Sequence, residues 1–252
     1  MRLWITTIVA VLAPVAAALA APSAPGEDPM VTAAKLNAQL AVAYLKQNDI
    51  AVAREKIEKA LLQNPKDASV QMSAGLVYER LQDADRADGH YSAALKLEPT
   101  NPDVQNIYAV FLCRNGHAAQ GQKAFEQAAR NPAYTTPEVA YSNAGVCARG
   151  GGDLAHAEDF FRKALSLRPD FPDALLQLAD LTYTKGGGLA ARALLERYFR
   201  VAPANADALL LGVHIERKLG DAEAAGRYQN QLLKDFPDSV QARDVRGGTG
   251  RQ

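Results

Sequence analysis

Small and large apolar residues recur along this chain at fixed positions of a repeating segment. Residues 34–67 set the pattern with Ala41, Tyr44, Ala53, Ala60 and a closing proline, Pro65. Residues 68–101 repeat this order 34 positions later, at Gly75, Tyr78, Ala87, Ala94 and Pro99. Small residues let two helices approach closely where they cross, and proline ends a helix because it lacks an N–H and clashes with the preceding turn. Each segment therefore predicts two antiparallel helices.

The same pattern continues towards the end of the chain. Later closing prolines follow at the same step, as Pro169, Pro203 and Pro237. We count six units, at 34–67, 68–101, 102–135, 138–171, 172–205 and 206–239. A two-residue insertion, Thr136-Pro137, separates the third unit from the fourth. The third unit matches the repeat pattern less well because Gly121 replaces the expected alanine. The sixth unit also matches it less well, because Gly212 and Val213 occupy the helix crossing.

A period of 34 residues is typical of the tetratricopeptide repeat. It predicts an all-α fold, a solenoid of six helix-turn-helix units that forms a right-handed superhelix. A helical bundle without repeats is the alternative, and the in-phase recurrence of several positions argues against it. Such solenoids hold other proteins on their concave face, so the pattern favours a binding function.

The two ends of the chain differ in composition from the repeats. An apolar run at the start closes on an A-x-A type sequence at Ala20, so we predict a signal peptide over residues 1–20. An uncleaved membrane anchor is the alternative. In either case we expect the repeats outside the cytosol, in the periplasm. The proline-rich residues 21–33 predict a flexible leader, and the polar residues 240–252 predict a disordered tail.

Composition and charge exclude several function classes. The chain has 28 Lys and Arg against 28 Asp and Glu, whereas a nucleic-acid-binding protein normally carries a basic excess. The four histidines are scattered, and no zinc, nucleophile or phosphate-loop motif is present. We therefore expect no enzymatic activity, no cofactor, no metal and no nucleic-acid partner.

The two cysteines, Cys113 and Cys147, both lie near the end of the first helix of a unit. First helices of neighbouring units pack side by side, so the two sulfur atoms could meet, and an exported chain permits oxidation. We predict a Cys113–Cys147 disulfide, with two buried free thiols as the alternative.

A partner-binding groove is predicted along the first helices, which line the concave face in this repeat class. The candidate groove residues are Val42, Met72, Leu76, Asn106, Val110, Val146, Leu176 and Tyr183. The surface is largely apolar with a few polar positions, which suggests a bound peptide or partner helix.

Two segments are more specific than the repeat pattern. Residues 106–116 read Asn-Ile-Tyr-Ala-Val-Phe-Leu-Cys-Arg-Asn-Gly, and residues 141–148 read Tyr-Ser-Asn-Ala-Gly-Val-Cys-Ala. Together with Leu-Gln-Leu-Ala at 176–179, they resemble the PilF/PilW family of type IV pilus biogenesis and stability proteins, over roughly residues 36–238.

The resemblance implies a pilotin or accessory factor that helps the outer-membrane secretin localise, multimerise or remain stable, and so supports twitching motility. It implies the Cys113–Cys147 disulfide as well. Four motif residues would shape helix packing or the groove, namely Tyr108, Phe111, Asn143 and Gly145. For Tyr108 and Phe111, core packing is the favoured interpretation.

The chain departs from this family at its start. Members are commonly lipoproteins, but the matching stretch reads Leu-Ala-Ala-Pro at 19–22, and no cysteine precedes Cys113. Lipidation at that site is therefore excluded. Because carrying the secretin to the outer membrane relies on the lipid, this departure argues against that role more than against a role in secretin assembly.

The partner expected from the resemblance is a secretin subunit or another pilus-assembly protein, with peripheral association to an envelope membrane. We expect a monomer, with self-association through the ends of the solenoid left open. The alternative function is a periplasmic adaptor for another envelope machine, such as outer-membrane protein assembly or cell-wall synthesis. A repeat domain that regulates an enzyme is a third hypothesis, which the lack of a second domain disfavours.

Overall fold

The structure, a computed structural model, describes residues 28–247. The predicted signal peptide, residues 21–27 of the predicted leader and residues 248–252 of the predicted tail lie outside the described residues. Within them the chain forms thirteen α-helices and no strand. The predicted all-α repeat fold is confirmed.

Twelve of the helices alternate as first and second helices of the predicted units. The first helices are α1 (Pro29–Lys46), α3 (Ala68–Arg80), α5 (Pro102–Arg114), α7 (Pro137–Gly150), α9 (Pro172–Thr184) and α11 (Ala206–Leu219). The second helices are α2 (Ile50–Gln63), α4 (Ala84–Leu97), α6 (Ala118–Arg130), α8 (Leu154–Leu167), α10 (Gly188–Val201) and α12 (Ala222–Asp235). The thirteenth, α13 (Val240–Gly247), follows the last pair.

Aspartate and asparagine side chains fix where most of these helices begin. Each accepts a hydrogen bond from an N–H of the first turn, which would otherwise have no partner. The capping residues are Asp28, Asp49, Asp67, Asp83, Asn101, Asp153, Asn205 and Asp221. Proline occupies the first turn of α1, α5, α7 and α9, where its missing N–H costs nothing.

The turn inside each unit contains one residue in the left-handed conformation. These residues recur every 34 positions, except for a step of 36 across the Thr136-Pro137 insertion, as Asn48, Gln82, Gly116, Gly152, Gly186 and Gly220. Glycine adopts this conformation freely because it has no Cβ, whereas Asn48 and Gln82 adopt it at a positive φ of 60°. The turn geometry is therefore constant although its residue type is not.

The helices form two compact units, and the first one extends to Gly151. In it α1 packs on α2, α3 on α4 and α5 on α6, while α3 also contacts α1 and α2 and α7 contacts α5 and α6. Alanines at the helix crossings are fully buried, among them Ala41, Ala53, Ala60, Ala87 and Ala94. Ile57 and Tyr91 fill the space beside them.

The second unit begins at Gly152 and contains α8–α13. Its successive helices pack on one another from α8 to α12, and α13 packs on α11 and α12. One cluster is built around Leu175, Leu195 and Ile215, and a second joins Leu209 to Leu232. The second cluster also includes residues of α13.

The structure differs from the sequence prediction at both ends of the described chain. Residues 29–33, predicted as part of a flexible leader, belong to α1, because Asp28 caps this helix through the N–H of Met30 at 2.8 Å. Residues 240–247, predicted as disordered, form α13. Ser239 Oγ accepts a hydrogen bond from the N–H of Ala242, and the helix buries Ala242 and Val245.

Candidate functional site

The predicted groove residues fall on the first helices of both compact units. Val42 lies on α1, Met72 and Leu76 on α3, Asn106 and Val110 on α5, Val146 on α7, and Leu176 and Tyr183 on α9. All except two are partly buried, as expected for side chains on the face of a helical layer.

Val110 and Val146 contribute little to any binding surface. Each is only 6% exposed, because neighbouring helices cover it. A charge introduced at Val146 would have to be buried, so it would destabilise the fold instead of testing binding. Met72 and Leu76 on α3 are partly buried and pack against the core of the first unit.

An aromatic cluster lies between α4 and α5, in the same core as Met72 and Leu76. The ring of Tyr91 lies 5.1 Å from that of Phe111 and 6.0 Å from that of Tyr108. Phe111 is buried and Tyr108 packs on the same core. Both residues therefore pack helices together, in line with the interpretation favoured from the sequence.

The carboxylates of Glu79 and Asp88 accept hydrogen bonds from the two tyrosines of this cluster. The Tyr91 hydroxyl donates to Glu79 Oε2 at 2.9 Å, and Arg114 pairs with Glu79 Oε1 at 3.1 Å. Burial, with Glu79 beside it, raises the pKa of Tyr91 well above its usual range. Burial, with a hydrogen bond to Asp88, raises the pKa of Tyr108 to about 12. Both phenols therefore stay neutral at physiological pH and act as hydrogen-bond donors.

Sequence reasoning did not single out Arg114 or Asp88. The available signal was the distance of 35 positions between Glu79 and Arg114, which places an acid and a base at nearly the same level of neighbouring first helices.

Among residues 28–151, three buried polar atoms have no hydrogen-bond partner: Gln105 Oε1, Asn106 Oδ1 and Asn143 Nδ2. Asn143 is 4% exposed, and the motif glycine Gly145 beside it is buried as well. An unpaired buried amide costs free energy, so these asparagines are not explained by packing alone.

The unpaired oxygen of Gln105 has a local cause in the repeat. Gln71 and Gln105 are equivalent residues, and each donates from Nε2 to a proline carbonyl six positions earlier, at 2.6 and 2.7 Å. Gln71 Oε1 also accepts from His90 Nδ1 at 2.7 Å. The residue equivalent to His90 in the next unit is Ala124, which has no donor to offer.

Cys113 on α5 and Cys147 on α7 lie side by side in the first unit, with their Sγ atoms 1.99 Å apart and their Cα atoms 5.5 Å apart. Gly121 on α6 faces this pair. A Cβ atom at Gly121 would lie 2.2 Å from Cys113 Sγ, 3.0 Å from the Ala109 carbonyl oxygen and 3.3 Å from Cys147 Sγ. The glycine that weakens the repeat pattern therefore leaves the space that the sulfur atoms fill.

In the second unit, charged and aromatic groups surround Tyr183. The Lys218 ammonium lies 4.9 Å above its ring, and the His214 ring stacks on it at 6.3 Å. Leu176 packs near it in the same cluster. This end of α9 presents an aromatic surface bordered by positive charge.

Across residues 28–247, no group of three or more His, Cys, Asp or Glu side chains could hold a metal ion. None of the described helices combines the length and apolar character needed to cross a membrane.

Comparisons with known proteins agree with this geometry. The tetratricopeptide repeat family matches residues 39–102 and 112–174, half of the chain. The solved structure of PilW, a widely conserved type IV pilus biogenesis factor, is 33% identical and superposes with a TM-score of 0.74. The match covers 84% of this chain and 97% of PilW. The chain belongs to the PilF/PilW family of tetratricopeptide-repeat proteins.

Other matches to the PilF/PilW family are consistent with this assignment. The type IV pilus assembly protein PilF of Pseudomonas aeruginosa is 26% identical over 203 residues, or 81% of each protein. A solved structure of Pseudomonas aeruginosa PilF superposes with a TM-score of 0.73 at 24% identity, covering 88% of this chain and all of that one, and supports the fold. The resemblance predicted from residues 106–116 and 141–148 is confirmed.

Proposed function

We propose that this protein is a non-enzymatic scaffold that acts in the periplasm and assists assembly, localisation or stability of the outer-membrane secretin of the type IV pilus. The observation that carries the proposal is the similarity to PilW and PilF, proteins of type IV pilus biogenesis and assembly, over more than four-fifths of the chain. A repeat fold that presents partly buried apolar side chains on successive first helices suits a binding role.

The partner binds the first helices of the first unit in this proposal. Met72 and Leu76 are partly buried apolar residues on α3, and they pack against the same core cluster as Tyr108. A partner that covers such side chains removes apolar surface from water, which favours association.

A photo-crosslinker placed at position 76 in living cells tests which protein binds there. We expect it to capture a secretin subunit or another pilus-assembly protein. Leu62 is the matched control position, because its side chain is 86% exposed on α2 and lies outside the proposed groove. Capture of an outer-membrane protein assembly or cell-wall synthesis factor at position 76 would instead favour the general envelope adaptor.

We also propose that Cys113 and Cys147 are disulfide-bonded in the exported protein. A bridge that closes a loop of this length contributes about 3–4 kcal/mol in the chain-entropy model. It would fasten α5 to α7 across the two-residue insertion. Alkylation of denatured, unreduced protein followed by mass spectrometry is the test. We expect no labelled thiol, and two labelled thiols would contradict the bridge.

A further inference from the structure

The turn between α5 and α6 contains Asn115-Gly116, and the sequence has no other Asn-Gly pair. Asn115 directly follows the last residue of α5 and is exposed, and Gly116 adopts the left-handed conformation with φ at 84°. The side-chain carbonyl carbon of an asparagine can react with the backbone nitrogen of the next residue. Glycine favours this reaction because it has no side chain that obstructs the approach.

The corresponding turns of other units lack this pair. The residues before the left-handed glycines of three other turns are Gly151, Lys185 and Leu219. None of these side chains has a carbonyl carbon that a backbone nitrogen could attack. In the turn between α1 and α2, Asn48 is followed by Asp49, whose side chain obstructs the nitrogen. The reactive pair is therefore confined to the turn of the third repeat.

Two hydrogen bonds hold Asn115 and Gly116 in place at the end of α5. Asn115 Nδ2 donates to the Phe111 carbonyl oxygen at 2.9 Å. The Gly116 N–H donates to the Cys113 carbonyl oxygen at 3.3 Å, which is longer than a typical bond of this kind. Both acceptors lie in the last turn of α5, and the ends of helices fray. When this end opens, ψ of Asn115, which is 18° in the closed turn, is free to rotate and Cγ can approach the Gly116 nitrogen.

We propose that Asn115 is a site of spontaneous modification, at which asparagine is converted to isoaspartate and aspartate through a succinimide. The Gly116 nitrogen loses its proton to solvent and bonds to Asn115 Cγ. The bond from Cγ to Nδ2 breaks, and Nδ2 leaves as ammonia. Water then adds to one of the two carbonyl carbons of the ring and opens it. The proposal does not depend on the pilus function.

The products fit this turn less well than asparagine does. Both lose Nδ2, and with it the hydrogen bond to the Phe111 carbonyl oxygen. Both place a carboxylate at the C-terminus of α5, where the helix dipole disfavours negative charge. Isoaspartate also adds a carbon to the main chain, which displaces the N–H groups of Gly116 and His117 from their acceptors on α5. The modification should therefore loosen the turn between α5 and α6.

Peptide mass spectrometry of the exported, processed protein after weeks at pH 7.5 and pH 9 tests the reaction. We expect the peptide that contains Asn115 to lose most of its amide before the peptide that contains Asn48 changes. The loss should be faster at pH 9, because the attacking nitrogen must be deprotonated. An isoaspartate-specific methyltransferase should label the Asn115 peptide, and Asn115→Gln should abolish this labelling, since glutamine would have to form a larger ring.

Asp88-Gly89 provides an internal control. An aspartate before glycine can form the same succinimide, but this pair lies inside α4, where the helix fixes its backbone. We expect no isoaspartate there. An intact amide at Asn115 after the incubation at pH 9, or equal loss at Asn48, would overturn the proposal.

Thermal unfolding of the incubated protein tests the structural consequence. The modified wild-type protein should melt at a lower temperature than the fresh protein, whereas incubated and fresh Asn115→Gln should melt alike. An unchanged melting temperature after full conversion at Asn115 would contradict the predicted loosening of the turn.

Discussion

Gln82 adopts a left-handed backbone conformation in the turn between α3 and α4, with φ at 60°. Its equivalent one unit later is Gly116, which adopts the same region at 84°. For a residue with a Cβ, this conformation costs roughly 1–2 kcal/mol. The repeat geometry is therefore imposed on Gln82 by the packing of the two helices it joins.

Replacing Gln82 by glycine should stabilise the protein. The left-handed strain disappears, and part of the gain is offset by the greater freedom of glycine in the unfolded chain, which leaves about 1 kcal/mol. Chemical denaturation measures the change. The reverse substitution, Gly116→Ala, serves as the control and should destabilise by a similar amount. Equal stability of both variants and the wild type would contradict this account of the turn.

Gly121 permits the close approach of the two cysteines. We expect Gly121→Ala to lower the free energy of unfolding by about 1–3 kcal/mol, because its methyl group overlaps Cys113 Sγ. In a background of Cys113→Ala and Cys147→Ala the cost should be smaller, since only the Ala109 carbonyl remains close. A double-mutant cycle by urea denaturation measures the difference, and additive effects would show that the sulfur atoms are not the obstacle.

His90 makes the stability of the first unit depend on pH. Burial lowers its pKa, and the positive charge of Arg86 lowers it further. The unfolded chain, whose histidine titrates near 6.5, therefore binds the proton more readily than the folded protein. Stability from this site is complete at neutral pH and is lost as the pH falls through that value towards the folded-state pKa.

Thermal unfolding at pH 7.5 and 5.5 tests this site. We expect the melting temperature of the wild-type protein to fall more over this interval than that of His90→Gln. An equal fall in the two proteins would show that the proton at His90 is not linked to folding.

At the scale of elements, α13 covers the apolar end of the second unit. Val245 is buried against α11, and its truncation should destabilise the protein by about 2 kcal/mol through lost burial. Val240→Ala is the matched control, because Val240 is 64% exposed on the same helix. Urea denaturation should separate the two variants, and equal effects would contradict a covering role for α13.

The helices of the repeats could be predicted from the sequence because the residues that define each helix lie within its own segment. Aspartates and prolines mark the starts, and small residues mark the crossings, so α3, α5, α9 and α11 begin at the predicted first residues of their units. The end helix α13 has no periodic partner, and its polar composition concealed Ala242 and Val245. Ser239 as a helix cap was the signal that could have revealed it.

The groove was harder to predict than the helices. The solvent exposure of a side chain depends on which helices pack around it, and the sequence pattern of one unit does not show this. Met72 and Leu76 are partly buried on α3, and their role in a groove stays a prediction. The repeat positions overestimated the exposure of Val110 and Val146, which lie at equivalent helix faces but are covered by surrounding helices. The hydrogen-bond network from Tyr91 through Glu79 to Arg114 joins residues of three helices, so periodicity alone did not indicate it.

At the scale of the whole molecule, the chain combines a balanced charge with partly buried apolar side chains on its first helices. We propose that Met72 and Leu76 of α3 bind a partner protein. The similarity to PilW and PilF extends over most of the chain, so it covers the repeats of both compact units. A binding protein of pilus biogenesis accounts for these features together.

The most direct test is made on a strain that lacks this gene. The quantity to measure is the amount of heat- and detergent-resistant secretin multimer, with complementation by the wild-type chain, by Leu76→Glu and by the exposed control Leu62→Glu. We predict that the multimer is lost while secretin monomer remains, and that the wild type and Leu62→Glu restore it but Leu76→Glu does not. Normal multimer together with normal surface pili in the deletion strain would contradict the proposed role.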